Sequence, residues 1–167
     1  MANTSTVSAV WAQTMNVTET FSAANVVQNA ILVNGINQGG TLNATSTPAA
    51  TKQSYFTITM TAGAATLDLT AIPGLNVNET IDGTGLKVRL LQFYAPATNA
   101  NPVTAAKGGS NGYGLTAAGT TWSIPLDPDT SAARWCNTSA PTIGSGAKTI
   151  DITGTGSQTI QVSIVLG

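Results

Sequence analysis

The sequence predicts an all-β protein, an antiparallel β-sandwich of jelly-roll or Greek-key type preceded by an N-terminal extended arm. Three observations carry this expectation. The dominant hydrophobic period is two, turn-forming residues punctuate the chain at short intervals, and helix signals are nearly absent. The best helical candidate, Ser22-Ala-Ala-Asn-Val-Val-Gln-Asn-Ala30, amounts to one short turn.

The elements follow in order. Thr14–Phe21 sets Met15, Val17 and Phe21 against Thr14, Thr18 and Thr20, with Glu19 interrupting the apolar face, as at an edge strand. Val26–Val33 is a near-continuous apolar run broken by Gln28 and Asn29. Asn34-Gly35 then supplies a strong hairpin signal, followed by Asn37-Gln-Gly-Gly40. Residues 41–51 have no period and read as a linker or extended arm. Residues 1–50 are therefore assigned to an arm and hairpin, a candidate intersubunit element, and residues 51–167 to the sandwich.

From there the alternation tightens. Phe56, Ile58 and Met60 alternate with Thr57, Thr59 and Thr61, Leu67 and Leu69 alternate with Thr66, Asp68 and Thr70, and Thr61-Ala-Gly-Ala64 predicts a hairpin between the two runs. Pro73-Gly74 breaks the chain, and a polar loop runs to Asp82-Gly-Thr-Gly85. In Leu86–Tyr94 the apolar set changes phase at Leu90-Leu91, which predicts a β-bulge. Residues 95–120 read as a long loop with one short strand near Val103. Trp122, Ile124 and Leu126 alternate up to a turn at Asp127-Pro-Asp-Thr130; Lys148–Thr153 and Gln158–Leu166 close the sandwich. One internal echo stands out: Thr66-Leu-Asp-Leu-Thr70 and Thr149-Ile-Asp-Ile-Thr153 share a pattern. It reflects either convergent strand composition or equivalent strands of a pseudo-symmetric sandwich.

Composition narrows the function classes. Charged residues make up 8% of the chain, against about a quarter in an ordinary globular protein. Thr, Ala, Asn, Gly and Ser take their place, and the wealth of β-branched residues separates the chain from disordered ones. A net charge of −1, with the cations scattered, gives no steering toward nucleic acid or an anionic membrane. Histidine is absent, which removes the commonest general base and metal ligand. The single cysteine, Cys136, excludes a disulfide within the chain and a Cys-based zinc site; it reads as a small, partly buried hydrophobe.

The segment Met1–Trp11 has neither the basic nor the apolar region of a signal peptide, and no apolar stretch reaches the ~18–20 residues of a spanning helix. Synthesis in a host cytoplasm without general secretion is expected, whereas the neutral, hydroxyl-rich surface is that of a protein facing the outside. A virion protein, exposed on lysis, meets both conditions.

No constellation of catalytic residues emerges, so the chain is read as a non-enzyme without cofactor or metal. Asp127 with Asp129, and Glu79 with Asp82, offer oxygen ligands for Ca²⁺ but lack the spacing of a calcium loop, and turn-forming aspartates account for them. Asp68 and Asp151 fall opposite the aliphatic core positions and are expected to face solvent, not each other across a glycosidase cleft. The Asn-x-Ser/Thr triplets at Asn3, Asn16, Asn43, Asn78 and Asn137 are those expected in a chain so rich in these residues. Among the aromatics, Trp122 and Phe56 lie on apolar strand faces and read as core. Trp135, beside Arg134, and Tyr113, in a Gly-rich loop, are the candidates for exposed contacts, suited to sugar stacking or intersubunit packing.

The run Thr66-Leu-Asp-Leu-Thr-Ala-Ile-Pro-Gly74, then Asp82-Gly-Thr-Gly-Leu-Lys-Val-Arg-Leu-Leu91, Pro96-Ala-Thr-Asn-Ala-Asn-Pro102, Gly112-Tyr-Gly-Leu115 and Lys148-Thr-Ile-Asp-Ile-Thr-Gly-Thr-Gly-Ser-Gln158, resembles small β-sandwich virion proteins of tailed bacteriophages, of the capsid-decoration or head-fibre type. The likeness covers about residues 55–167 in texture and segment order. It implies a homotrimer on a capsid protein lattice, with an arm reaching the shell or a neighbour, and brings no catalytic residues. Two other functions stay open: a self-assembling coat, tube or surface-layer subunit, and a carbohydrate-binding or adhesin module using Trp135 or Tyr113 on a glycan.

Overall fold

The structure, a computed structural model, describes residues 6–21, 30–75, 79–117, 119–135 and 139–167, with the backbone alone for 16–21, 30–36 and 135. All regular structure among them is β-strand: β1 Ser8–Phe21, β2 Ala30–Asn43, β3 Lys52–Thr59, β4 Ala64–Asp68, β5 Ile72–Pro73, β6 Thr80–Ile81, β7 Val88–Ala95, β8 Val103–Lys107, β9 Ser123–Leu126, β10 Thr130–Trp135, β11 Thr149–Thr153 and β12 Thr159–Leu166. The helical turn expected after Phe21 falls on residues 22–29, and that segment lies outside the described residues, as does Cys136.

Eight strands form the sandwich, in two antiparallel sheets of order β10-β7-β12-β3 and β4-β11-β8-β9. The pairing is nested. β3 lies against β12, β4 against β11, β7 against β10 and β8 against β9, as if one long hairpin had been rolled up. Further pairing of β7 with β12 and of β8 with β11 closes each sheet. This is the jelly-roll form of the predicted sandwich. The echoed segments occupy β4 and β11, and they pair with each other, Leu67 opposite Ile150 and Thr66 opposite Asp151.

Alternation fills the space between the sheets. Phe56, Leu67, Leu91, Phe93, Val103, Ala105, Ile150, Ile152, Ile160, Val162 and Ile164 are all buried there. At Val88 and Leu91 the phase change expected near Leu90-Leu91 is resolved one residue earlier. Leu166 pairs with Val88 and Val165 with Leu90, which leaves Arg89 as the extra residue of a bulge. Val88 and Leu91 can then both face inward.

Turns behave in two ways. Thr61–Ala64 reverses the chain with Ala62 and Gly63 at positive φ (52° and 82°), the twist of a type I′ turn. Yet β3 and β4 enter different sheets, so this tight turn is a corner of the roll and not a paired hairpin. Asn34-Gly35, by contrast, is no turn. Both residues sit inside β2, opposite Val17 and Asn16 in an unbroken β1–β2 register. The apolar run from Ala30 to Val33 pairs with Thr18–Phe21. Thr41–Asn43 complete β2, so the expected linker is confined to residues 44–51. There Asn43 Oδ1 accepts hydrogen bonds from the N–H groups of Thr45 and Ser46 (both 2.9 Å), and Ala50 is fully buried.

Candidate functional site

The outer face of the β10-β7-β12-β3 sheet is set by the same alternation as its inner face. Register places its positions in three cross-strand rows: Gln53, Val165, Leu90 and Trp135; Tyr55, Ser163, Gln92 and Ala133; Thr57, Gln161, Tyr94 and Ser131. No position in these rows carries a charge. Tyr55 donates its hydroxyl proton to Gln161 Oε1 (2.8 Å), and Tyr94 donates to Asp129 Oδ1 in the β9–β10 turn (2.8 Å). Donating this hydrogen bond to the carboxylate favours the protonated phenol and raises the Tyr94 pKa above the usual tyrosine value.

The other sheet is different, because the Thr-x-Asp echo places Asp68 and Asp151 on its outer side. Asp151 accepts from the Gly109 N–H (2.8 Å) and the Thr66 hydroxyl (3.0 Å). Asp68 accepts from Lys148 Nζ (2.7 Å) and from the hydroxyl (2.6 Å) and N–H (2.9 Å) of Thr70. These bonds, the lysine's first, lower the Asp68 pKa to about 2. The two faces of the sandwich thus differ in kind, one neutral and one carrying charge.

The β1–β2 hairpin docks on the neutral face. Val7, Leu42, Ala50 and Val165 form a second apolar cluster, with Ala9, Trp11 and Leu90 half-buried against it. This gives the double leucine its reason: Leu91 fills the sandwich while Leu90 supports the hairpin base. Beside the docked base runs a groove of about 460 Å³ lined by Val10, Trp11, Tyr55, Leu75, Gln92 and Ser163 among others. A smaller hollow shares Tyr55, Gln92 and Ser163 with it and reaches Tyr94 and Gln161. The large apolar side chains left in water gather here. Among the described residues they are Val10, Tyr55 and Leu75, which line the groove, and Met15 further along the hairpin, 63% exposed. Periodicity did not single out this site, because Val10, Tyr55 and Leu75 belong to three segments that meet only in the fold.

Of the two aromatics expected at the surface, Tyr113 is a correction. It is completely buried. Its hydroxyl donates to the Pro141 carbonyl (2.6 Å) and accepts from the Val88 N–H (3.0 Å), and its own N–H donates to the Thr149 carbonyl (2.8 Å). The Gly-rich loop folds inward: a Cβ at Gly112 would collide with the Gly108 carbonyl, so only glycine permits this approach. The repeat of an apolar residue at Leu115, also buried, was the available signal. Trp135 ends β10, in the row of Leu90 and Val165. Trp122 packs its ring on Phe93 (centroids 6.5 Å apart) and donates its indole N–H to the Tyr113 carbonyl (2.7 Å).

Of the paired acids, Asp82 serves a turn through its carboxylate, Asp127 through its backbone carbonyl, and the Asp129 carboxylate accepts from Tyr94. Asp82 Oδ1 accepts from the Thr84 N–H (2.8 Å), and the Asp127 carbonyl accepts from the Thr130 N–H (3.1 Å). Among the described residues no group of three or more metal-ligating side chains occurs. No family model, curated protein or solved structure matches the chain.

Proposed function

We propose that the chain is a virion structural protein, a capsid-decoration (cement) or head-fibre subunit that acts by protein–protein assembly as a homotrimer on a capsid protein lattice. The observation that carries this reading is the division of its surface. One sheet face has three uncharged cross-strand rows, holds an apolar groove and anchors a long hairpin, while Asp68 and Asp151 lie on the outer side of the other sheet. Burying such a face requires little desolvation of ions, and a patch of exposed apolar side chains of this kind marks a contact surface. Jelly rolls recur among viral capsid proteins and lectins, an analogy of fold that favours a particle subunit without assigning residues.

Mass measurement by light scattering, followed by negative-stain imaging of the purified protein, tests the proposal. The expected result is a discrete small oligomer, a closed multiple of the 16.9 kDa chain, that decorates capsid shells when mixed with them. A stable monomer with no affinity for shells overturns it. Open tubes or sheets formed by the protein alone would replace it with a coat or surface-layer subunit.

A further inference from the structure

The β1–β2 hairpin is longer than the sandwich that supports it. Each strand has 14 residues, against eight in β12, the longest strand pairing in the neutral sheet. At about 3.3 Å per residue the ribbon reaches some 45 Å. Among the described side chains its contacts with the sandwich lie at the base, around Val7, Trp11 and Leu42; Ala12–Met15 and Asn37–Thr41 are already exposed. Beyond them two strands pair only with each other. A two-stranded ribbon of that kind is marginal in water, and three or more strands or a packing partner are needed for stability.

The edges of this ribbon carry none of the usual guards. Residues 8–43 contain one charge, Glu19, and no proline, and the pairing from Ser8–Asn43 to Phe21–Ala30 runs without a bulge. Natural edge strands that remain unpaired are protected by lysine, proline, bulges or short length. The register also continues the base pattern outward. Positions 11 and 42 belong to an alternation that goes on through Met15 and Ile36, Val17 and Asn34, Glu19 and Leu32, Phe21 and Ala30. The series that anchors the base in apolar contact is interrupted by the Gln13–Gln38 pair and is mostly apolar again beyond it.

We infer that the outer half of the hairpin, Met15–Phe21 with Ala30–Ile36, is the element through which copies of this chain join, each ribbon taking the same ribbon of a second copy as its missing neighbour. A second copy fits better than an unrelated partner. The ribbon is self-complementary, offering two unguarded backbone edges and apolar positions on the same element, and Glu19 is the single charge that identical ribbons bring together. Each such pairing covers one edge of each ribbon, and a closed cyclic ring of ribbons, β1 of one copy on β2 of the next, covers both. This inference rests on the assembly reading above and adds the surface that performs it.

The test is a full-length Val17→Lys/Leu32→Lys variant. Leu32 lies opposite Glu19, so the new lysine gains a cross-strand charge partner and the hairpin itself is spared. The expected result is a fall in mass from the oligomer to the 16.9 kDa chain, with the sandwich's thermal midpoint retained. Thr153→Lys, exposed on β11 of the other sheet, should leave the mass unchanged. A second measurement does not depend on the lysines: Thr18→Cys in a Cys136→Ser background should trap disulfide-linked dimers on oxidation. If the wild type is oligomeric, yet the lysine variant keeps its mass and Thr18→Cys yields no dimer, the hairpin inference falls and the assembly reading stands. If the lysine variant loses only its binding to shells, the ribbon's partner is the shell and the inference is again wrong. A monomeric wild type removes both.

Discussion

Tyr113 joins three parts of the roll through one ring. Its hydroxyl satisfies the Val88 N–H at the start of β7 and the Pro141 carbonyl, and its backbone bonds to Thr149 at the start of β11. Tyr113→Phe leaves two buried backbone groups without that partner and should lower stability by about 1–3 kcal/mol, read as a lower denaturant midpoint at unchanged slope. The Asp68–Lys148 pair acts on a smaller scale, since both side chains are about a third exposed (34% and 29%). The folded Asp68 carboxyl binds its proton less tightly than the unfolded one, about 2 against 3.8. Its contribution is therefore fully present above about pH 4 and is lost as pH falls toward 2. Solvent screening holds the pair to about 0.5–1 kcal/mol, so Lys148→Met should flatten the acid end of the stability profile while changing little in high salt.

At the scale of elements, the corner and the hairpin base give separate predictions. At Thr61–Ala64, Gly63 holds a φ of 82°, and a Cβ there would sit 2.6 Å from the Gly154 carbonyl oxygen. Gly63→Ala combines strain with a backbone clash and should destabilise the whole sandwich by more than about 1 kcal/mol in a thermal melt. Leu42 is buried in the cluster that docks the hairpin, outside the sandwich core. Leu42→Ala should weaken docking by about 2–3 kcal/mol. Hydrogen exchange separates the two effects: amides of β1 and β2 should exchange faster, while those of β7 and β12 keep their protection.

On the scale of the whole molecule, the neutral sheet face and ribbon would make the proposed assembly a matter of apolar burial and backbone pairing. Ionic strength should then matter little. Light scattering at low salt and at about 1 M salt, where the Debye length shrinks to about 3 Å, should give the same mass. A mass that collapses in high salt would point instead to the charged sheet around Asp68 and Asp151 as the contact face. The jelly roll and the ribbon also divide the folding problem, because the nested pairs β3–β12 and β4–β11 close only when residues 52–68 meet residues 149–166, whereas β1 and β2 are near neighbours in sequence.

By itself the sequence determined the all-β class, most strand positions and the bulge before Leu91, because a half-buried strand writes its two faces into alternate residues. β10 escaped it, since Ser131-Ala-Ala-Arg134 carries no strong alternation and takes its place from pairing with β7. Asn34-Gly35 misled for a related reason: turn chemistry is local, and where the chain reverses depends on which segments pair. Tertiary structure alone decided that Thr61–Ala64 is a corner, that Tyr113 lies inside, and that Val10, Tyr55 and Leu75 share a groove. Those outcomes depend on contacts between residues far apart in the chain, which alternation along a strand does not encode.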